Sequence, residues 1–190
     1  MVLGAGCIRV LLAERTLQID PMDPAQFGVA SYTLRLSNRF RRWRSSSTVD
    51  LADPEWNAHG ALGRVEEVDS VSIAPGEFIL GASVEALRLP PNVIGQLSTP
   101  SHMARFGLSF IQSSAIVHPG FGRTSPTQIT FEITSVNPAP LTLPAGLPVS
   151  HLVLSEVSGV DNSTMTSQRS AYEGSPAPSP PALPSQWFQR

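Results

Sequence analysis

Lysine is missing from this sequence altogether: all 13 basic residues are arginine. That removes a Schiff-base nucleophile, a pyridoxal-phosphate anchor and the lysine of a Walker-type phosphate loop. Phosphate contacts then have to come from arginine, hydroxyls or backbone N–H groups. Cysteine is almost as scarce. Cys7 stands alone, so neither an internal disulfide nor a thiolate metal cluster can form, and a reducing, cytoplasmic setting is expected. The His-x-Glu and Cys-x-x-Cys pieces of a zinc deaminase are absent, and His59, His102, His118 and His151 show no metal-ligand spacing, so no zinc is expected. The opening Met1 to Leu12 is partly apolar but lacks a basic leader and is too short to span a bilayer, which argues against membrane insertion. A net charge of −2 leaves no broad basic surface for long nucleic acid.

With 190 residues, 41% of them hydrophobic, the chain can build one domain with a real core. Ile8, Leu11, Leu12 and Leu17 recur at roughly helical spacing and predict a short helix over Cys7 to Leu17. From Ser31 to Phe40 the period changes to two: Tyr32, Leu34 and Leu36 alternate with Thr33, Arg35 and Ser37, as in a half-buried strand. Apolar runs then return at Val71–Ile73, Phe78–Leu80, Val84–Leu89, Val93–Leu97, Leu108–Ile111, Ile129–Ile133, Leu141–Leu143 and Val149–Val157. Their spacing by Pro, Gly and Asn turns predicts a β-sandwich or barrel. Pro119-Gly120 sits between two apolar runs where a hairpin tip would fall.

The composition shifts near Gly159 to Ser, Thr, Asn and Gln, and a proline-rich run follows from Ser175 to Pro184. Such a segment cannot form a core, which divides the chain into a domain over 1–158 and a tail over 159–190. Two readings of the tail stay open, a mobile polyproline-like segment and a flap over a ligand, since Tyr172, Trp187 and Phe188 give it something to dock with. The arginines at 35, 39, 41, 42 and 44, with Trp43 among them, read as a solvated or subunit-facing strand in preference to a nucleic-acid stacking site.

Leu87 to Leu108, LRLPPNVIGQLSTPSHMARFGL, resembles the element of the dCTP deaminase/dUTPase family in which a strand and Leu-Pro turn lead into Gly-Arg-Ser-Ser-x-Ala-Arg-x-Gly. HPGFGR and the TFEI of Thr130 to Ile133 are similar to the family's Asp-Pro-Gly-Phe and Thr-Phe-Glu elements. Ala30 to Phe40 resembles its Ser-x-Asp-Leu-Arg-Leu-Gly strand, and Gly146 to Leu152 its Gly-x-x-Ile-x-Gln-Leu element. The likeness runs in consistent order from about Ile8 to Val157, with a fainter echo at Ala171-Tyr172. It implies a mainly β, distorted barrel or jelly-roll-like fold of dUTPase type with a short N-terminal helix, and a homotrimer with nucleotide sites between subunits.

The resemblance also implies a chemistry. Glu132 holds the position of a glutamate that activates water for attack on C4 of cytosine without zinc, and Ser101 and Arg105 match the hydroxyl and guanidinium that orient it. A glutamate enclosed by Phe131 and Ile133 would have its pKa pushed toward neutrality, which suits a proton shuttle, whereas a glutamate on a solvated strand face is the plain alternative. For Ser101 the plain alternative is a hydroxyl that caps a helix-like stretch from His102 to Phe106. His102, Ser114, His118, Phe121, Arg123 and Tyr172 complete the nucleotide-contacting set, with Mg²⁺ expected to arrive on the phosphates.

Departures from the family pattern are numerous. Pro100 stands at a phosphate-binding arginine, His102 at a serine, His118 at the turn aspartate, Thr33 at an aspartate, His151 at a glutamine, and Ala171 and Ser175 at a tail lysine and glutamine. Residues Arg123 to Pro126 read as a four-residue insertion of even length, which would preserve strand facing and could let Arg123 replace the lost charge. Four readings follow: a deaminase of a cytosine deoxynucleotide such as dCTP or of a related nucleotide, a dUTPase-like diphosphohydrolase, a diverged nucleotide-binding trimer without turnover, or catalysis on an unusual nucleotide to which the altered contacts are adapted.

Overall fold

A computed structural model describes residues 1–44, 48–51, 61–112, 114–160 and 177–182. The first helix, α1 (Ala5–Ala13), begins and ends earlier than its apolar period suggests. Arg15 turns to a left-handed φ of 59°, and the N–H groups of Thr16 and Leu17 both return to the Leu11 carbonyl, closing the helix. Ile8 is buried from within α1, but Leu17 enters the core from outside it, just before β1 (Gln18–Asp20).

The remaining strands are β2 (Tyr32–Arg42), β3 (Glu66–Glu67), β4 (Ser70–Ile73), β5 (Phe78–Arg88), β6 (Val93–Ser98), β7 (Leu108–Ser109), β8 (Ile116–Val117), β9 (Thr127–Ser135), β10 (Leu141–Pro144) and β11 (Pro148–Glu156). Among the described residues they form an antiparallel sheet in the order β7-β9-β5-β2-β11-β6-β8, with β1 on β5 and β3 on β2, and a separate β4–β10 ribbon. Register shifts between Leu36 and Phe40 and between Ala82 and Ala86 bend the long central strands, as bulges do. The bent sheet curls into a half-barrel around one core.

Alternation decides which residues face that core. Tyr32, Leu34 and Leu36 of β2 are fully buried, as the period of two predicts. In β9, Ile129, Phe131 and Ile133 point inward while Gln128, Thr130, Glu132 and Thr134 share the opposite, half-buried face. Phe110 and Phe131 meet edge to face with ring centroids 6.3 Å apart, contributing about 1 kcal/mol beyond their buried area.

Pro119-Gly120 is a turn, but it is no hairpin tip. β8 before it pairs with β6, and β9 after it pairs with β5 and β7, so the turn crosses between separate parts of the sheet. It is pinned to the end of β5: Leu89 N–H donates to the Phe121 carbonyl at 2.9 Å and Gly120 N–H to Pro90 at 3.3 Å. Gly122 is obligatory there. Its φ is +67°, and a Cβ would lie 2.1 Å from the Leu87 carbonyl oxygen.

The arginines of β2 are largely committed to ion pairs. Arg35 pairs with Glu85 at 2.7 Å and Asp23 at 3.5 Å, Arg39 with Glu67 at 3.6 Å, and Arg42 with Glu77. Trp43 packs with Leu62, Leu80 and Phe78. Glu85 is completely buried, and its carboxylate accepts from both the backbone N–H and the Nε of Arg35. That bond to Glu85 raises the Arg35 pKa further above its ordinary value.

Candidate active site

The short helix α2 (Ser101–Arg105) follows directly from the end of β6. Its N-cap position is Pro100, and Ser101 makes no capping bond, so the capping explanation of Ser101 does not hold. Ser101, His102 and Arg105 are exposed, while Met103 anchors the helix in the core. Ser101 and Arg105, four apart, share one side of it. Gly107 then takes a φ of +72°, where a Cβ would sit 2.9 Å from the Asn137 backbone nitrogen, and its carbonyl accepts from Val136 N–H at 2.8 Å.

This tight turn delivers the chain into β7, which pairs with the end of β9 through Leu108↔Ser135 and Ser109↔Thr134. Two further bonds tie the helix loop to the strand. Glu132 N–H donates to the Phe110 carbonyl at 3.2 Å, and Phe110 N–H donates to Thr99 Oγ1 at 3.1 Å. The backbone of Glu132 is thereby coupled to the base of α2. Thr134 Oγ1 donates to Gln112 Oε1 at 3.1 Å, which lays the loop leading to the exposed Ser114 beside the same end of β9.

Glu132 stands half-buried on the polar face of β9, opposite Leu80 of β5. Phe131 and Ile133 lie on the other face and do not enclose it, so the apolar surroundings expected from the sequence are not provided by its chain neighbours. The structure agrees instead with a strand-face glutamate partly sheltered by what lies across that face. On the same face of β9, Ser179 N–H donates to Thr130 Oγ1 at 2.9 Å, two residues from Glu132, and Ala177, Pro178 and Ser179 are buried. Nothing in the sequence singled out Thr130 for this, although the alternation of β9 places it on that face.

Other expected site residues sit elsewhere. His118 and Arg123 are exposed on the turn held against Leu87 to Pro90, and Phe121 packs partly into the core. β9 starts beside that turn at Thr127↔Leu87, five residues before Glu132, a separation of roughly 17 Å along a strand. The candidate residues therefore fall into two candidate half-sites: Glu132, Ser101, His102, Arg105 and Ser114 toward one end of β9, and His118, Phe121 and Arg123 toward the other. Tyr172 lies outside the described residues. The positions of the family's aspartate and glutamine, Thr33 and His151, face each other across β2 and β11 with Oγ1 and Nδ1 3.1 Å apart. Among the described residues no three His, Cys, Asp or Glu side chains gather as a metal site, and no helix is long and apolar enough to cross a membrane.

A curled β-sheet of this order, with a short helix feeding its edge, is the fold of a solved dCTP deaminase. The 2'-deoxycytidine 5'-triphosphate deaminase structure from Agrobacterium tumefaciens superposes with a TM-score of 0.62 at 20% identity, over 80% of this chain and 47% of that longer one. This chain thus spans about half of that structure. The chain belongs to the dCTP deaminase-like family, whose profile matches residues 2–157. It is similar to the dUMP-forming dCTP deaminase of Tropheryma whipplei (strain Twist), 31% identical over 100% of this chain and 96% of that protein. The dCTP deaminase of Halorubrum lacusprofundi is 30% identical over 83% of this chain and 78% of its own length. Membership makes the chain an enzyme of the hydrolase, deaminase kind.

Proposed function

We propose that this protein hydrolytically deaminates a cytosine deoxynucleotide such as dCTP, with Glu132 as the proton shuttle and no zinc. The observation that carries this reading is the coupling of Glu132, through Phe110 and Thr99, to the helix that exposes Ser101 and Arg105. Glu132 takes a proton from water, the resulting hydroxide attacks C4, and the same carboxyl returns protons until the C–N bond breaks and ammonia leaves. Arg105, always charged and planar, orients the carboxylate and the nucleotide, and the unengaged Ser101 hydroxyl is available to hold the water.

The two half-sites are too far apart to grip one nucleotide within one chain, which supports a homotrimer in which His118, Phe121 and Arg123 of one copy face Glu132 of the next. Residues 159–190 then act as a flap, consistent with the docking of Ser179 on Thr130. Among the described residues no carboxylates gather as a metal site, so Mg²⁺ would be held by the nucleotide phosphates, whose charge it would partly neutralise, while the hydroxyls of Ser101 and Ser114 and the guanidiniums of Arg105 and Arg123 would contact the nucleotide. Pro100 offers no charge to those phosphates, which leaves Arg123 to supply it from the turn.

Incubation with dCTP, dCMP and CTP, followed by mass spectrometry, tests the reaction. A cytosine-to-uracil mass shift with one ammonia per turnover is expected, falling roughly 10³-fold in Glu132→Gln. No shift with any cytosine nucleotide, or equal turnover by Glu132→Gln, would overturn the proposal.

A further inference from the structure

The arginine-rich end of β2 holds one guanidinium that the fold does not use. Arg35, Arg39 and Arg42 have carboxylate partners. Arg41 differs: among the described residues it forms no ion pair, and its Nε is buried with no hydrogen-bond partner. Arginine cannot relieve this by losing its proton, because it stays charged at any pH at which the fold exists. A buried donor of this kind calls for an acceptor from outside the framework.

Register shows what Arg41 faces. It lies opposite Leu80 of β5, and Leu80 lies opposite Glu132 of β9, so the three make one row across three strands. Directly opposed residues share a face of the sheet. Ile79 and Phe131, the chain neighbours of Leu80 and Glu132, point into the main core, whereas Leu80 packs with Leu62, Trp43 and Phe78 on the other side. Two strand spacings put the Arg41 backbone roughly 10 Å from that of Glu132. Only the apolar Leu80 stands between them in the row.

We propose that Arg41 contacts the phosphates of the nucleotide whose base is held at Glu132. The proposal rests on the deaminase reading and adds a binding residue just beyond the Ala30 to Phe40 element. The spacing suits the ligand. A carboxylate at C4 of cytosine and a cation at the phosphates stand at opposite ends of a nucleotide, with the deoxyribose between them. Pro100 brings no charge to the phosphates, and Arg41 restores one from within the same chain. In the proposed trimer Arg123 of a neighbouring copy approaches the same phosphates from the turn, and a triphosphate carries charge enough for both.

Binding is measured apart from turnover. Calorimetry on Glu132→Gln, alone and combined with Arg41→Gln, titrates dCTP and deoxycytidine at two salt concentrations. The combined variant should bind dCTP roughly 10-fold more weakly and deoxycytidine about equally well, and its dCTP affinity should fall less steeply with salt. Arg41→Lys in the same background keeps the charge and should recover part of the loss. Unchanged dCTP affinity, an unchanged salt dependence, or equal weakening of both ligands would overturn the proposal and make Arg41 a packing residue. If Arg41→Gln fails to fold, Arg41→Lys carries the test, and the proposal falls unless that variant weakens dCTP alone. Ammonia release from dCTP by the unmodified protein is read separately: its absence sinks the deaminase reading, while the Arg41 contact stands or falls on the titrations.

Discussion

Two glutamates on neighbouring strands divide the labour of this molecule. Glu85 on β5 has no exposed surface, and Arg35 clamps it by side chain and backbone. Glu132 on β9 stands half-buried on a face shared with threonines and a glutamine, beside a helix whose serine and arginine are exposed. A buried carboxylate with a committed partner has little freedom to trade protons, and it fixes the bend of β2 against β5. A half-buried carboxylate on the polar face of a strand keeps part of its surface within reach of a ligand. Framework and chemistry are thus assigned to different strands by burial, although the residue type is the same.

The sharpest way to break this contrast is to neutralise each glutamate in turn. Glu132→Gln should cost roughly 10³-fold in deamination while shifting the urea midpoint less than the Glu85 change does. Glu85→Gln should do the reverse, leaving Arg35 without its anion and destabilising the fold by about 3 kcal/mol in urea unfolding. Equal stability losses in the two variants would erase the distinction. An intermediate effect is expected from Gly107→Ala, whose Cβ has no room beside Asn137 and whose φ disfavours any side chain. That variant should lose about 1–2 kcal/mol of stability and a larger share of activity than of fold, because the turn aims α2.

The smallest effect lies at high pH. Burial, foremost, pushes the Tyr32 phenol above its ordinary value, with the nearby Glu85 charge adding to it, while the Asp23 backbone N–H and Arg35 act the other way. A raised folded-state pKa gives stability that is present below the ordinary value of about 10 and is lost as pH rises through the folded value. Ultraviolet titration should therefore show one tyrosine ionising above 10 together with unfolding. Ionisation of both tyrosines near 10 with the fold intact would contradict it.

Much of this is legible in the sequence. The period of two in Tyr32, Leu34 and Leu36 and in Ile129, Phe131 and Ile133 gave both strands and their buried faces, because side-chain direction alternates regardless of which strand lies alongside. The same rule shows why Phe131 and Ile133 could not shelter Glu132: immediate neighbours in a strand point away from it. Pairing was not legible. Pro119-Gly120 has the composition of a hairpin tip, yet its flanking strands find other partners, and only that pairing shows His118 and Glu132 at opposite ends of β9. The type of Ser101 suits a cap, whereas the helix begins at Ser101 itself with Pro100 in the cap position. Nothing in the sequence marks Glu85, since a lone acid in a strand carries no sign of a partner 50 positions away.

Cys7, exposed on the first helix and without a second thiol in the sequence, gives the molecule a built-in ruler. A spin label placed there needs no mutagenesis and rides on an element anchored through Ile8. In a closed three-fold ring such labels mark an equilateral triangle and yield one interspin distance. An asymmetric or open arrangement of copies yields several, so a single native cysteine can report the geometry of assembly.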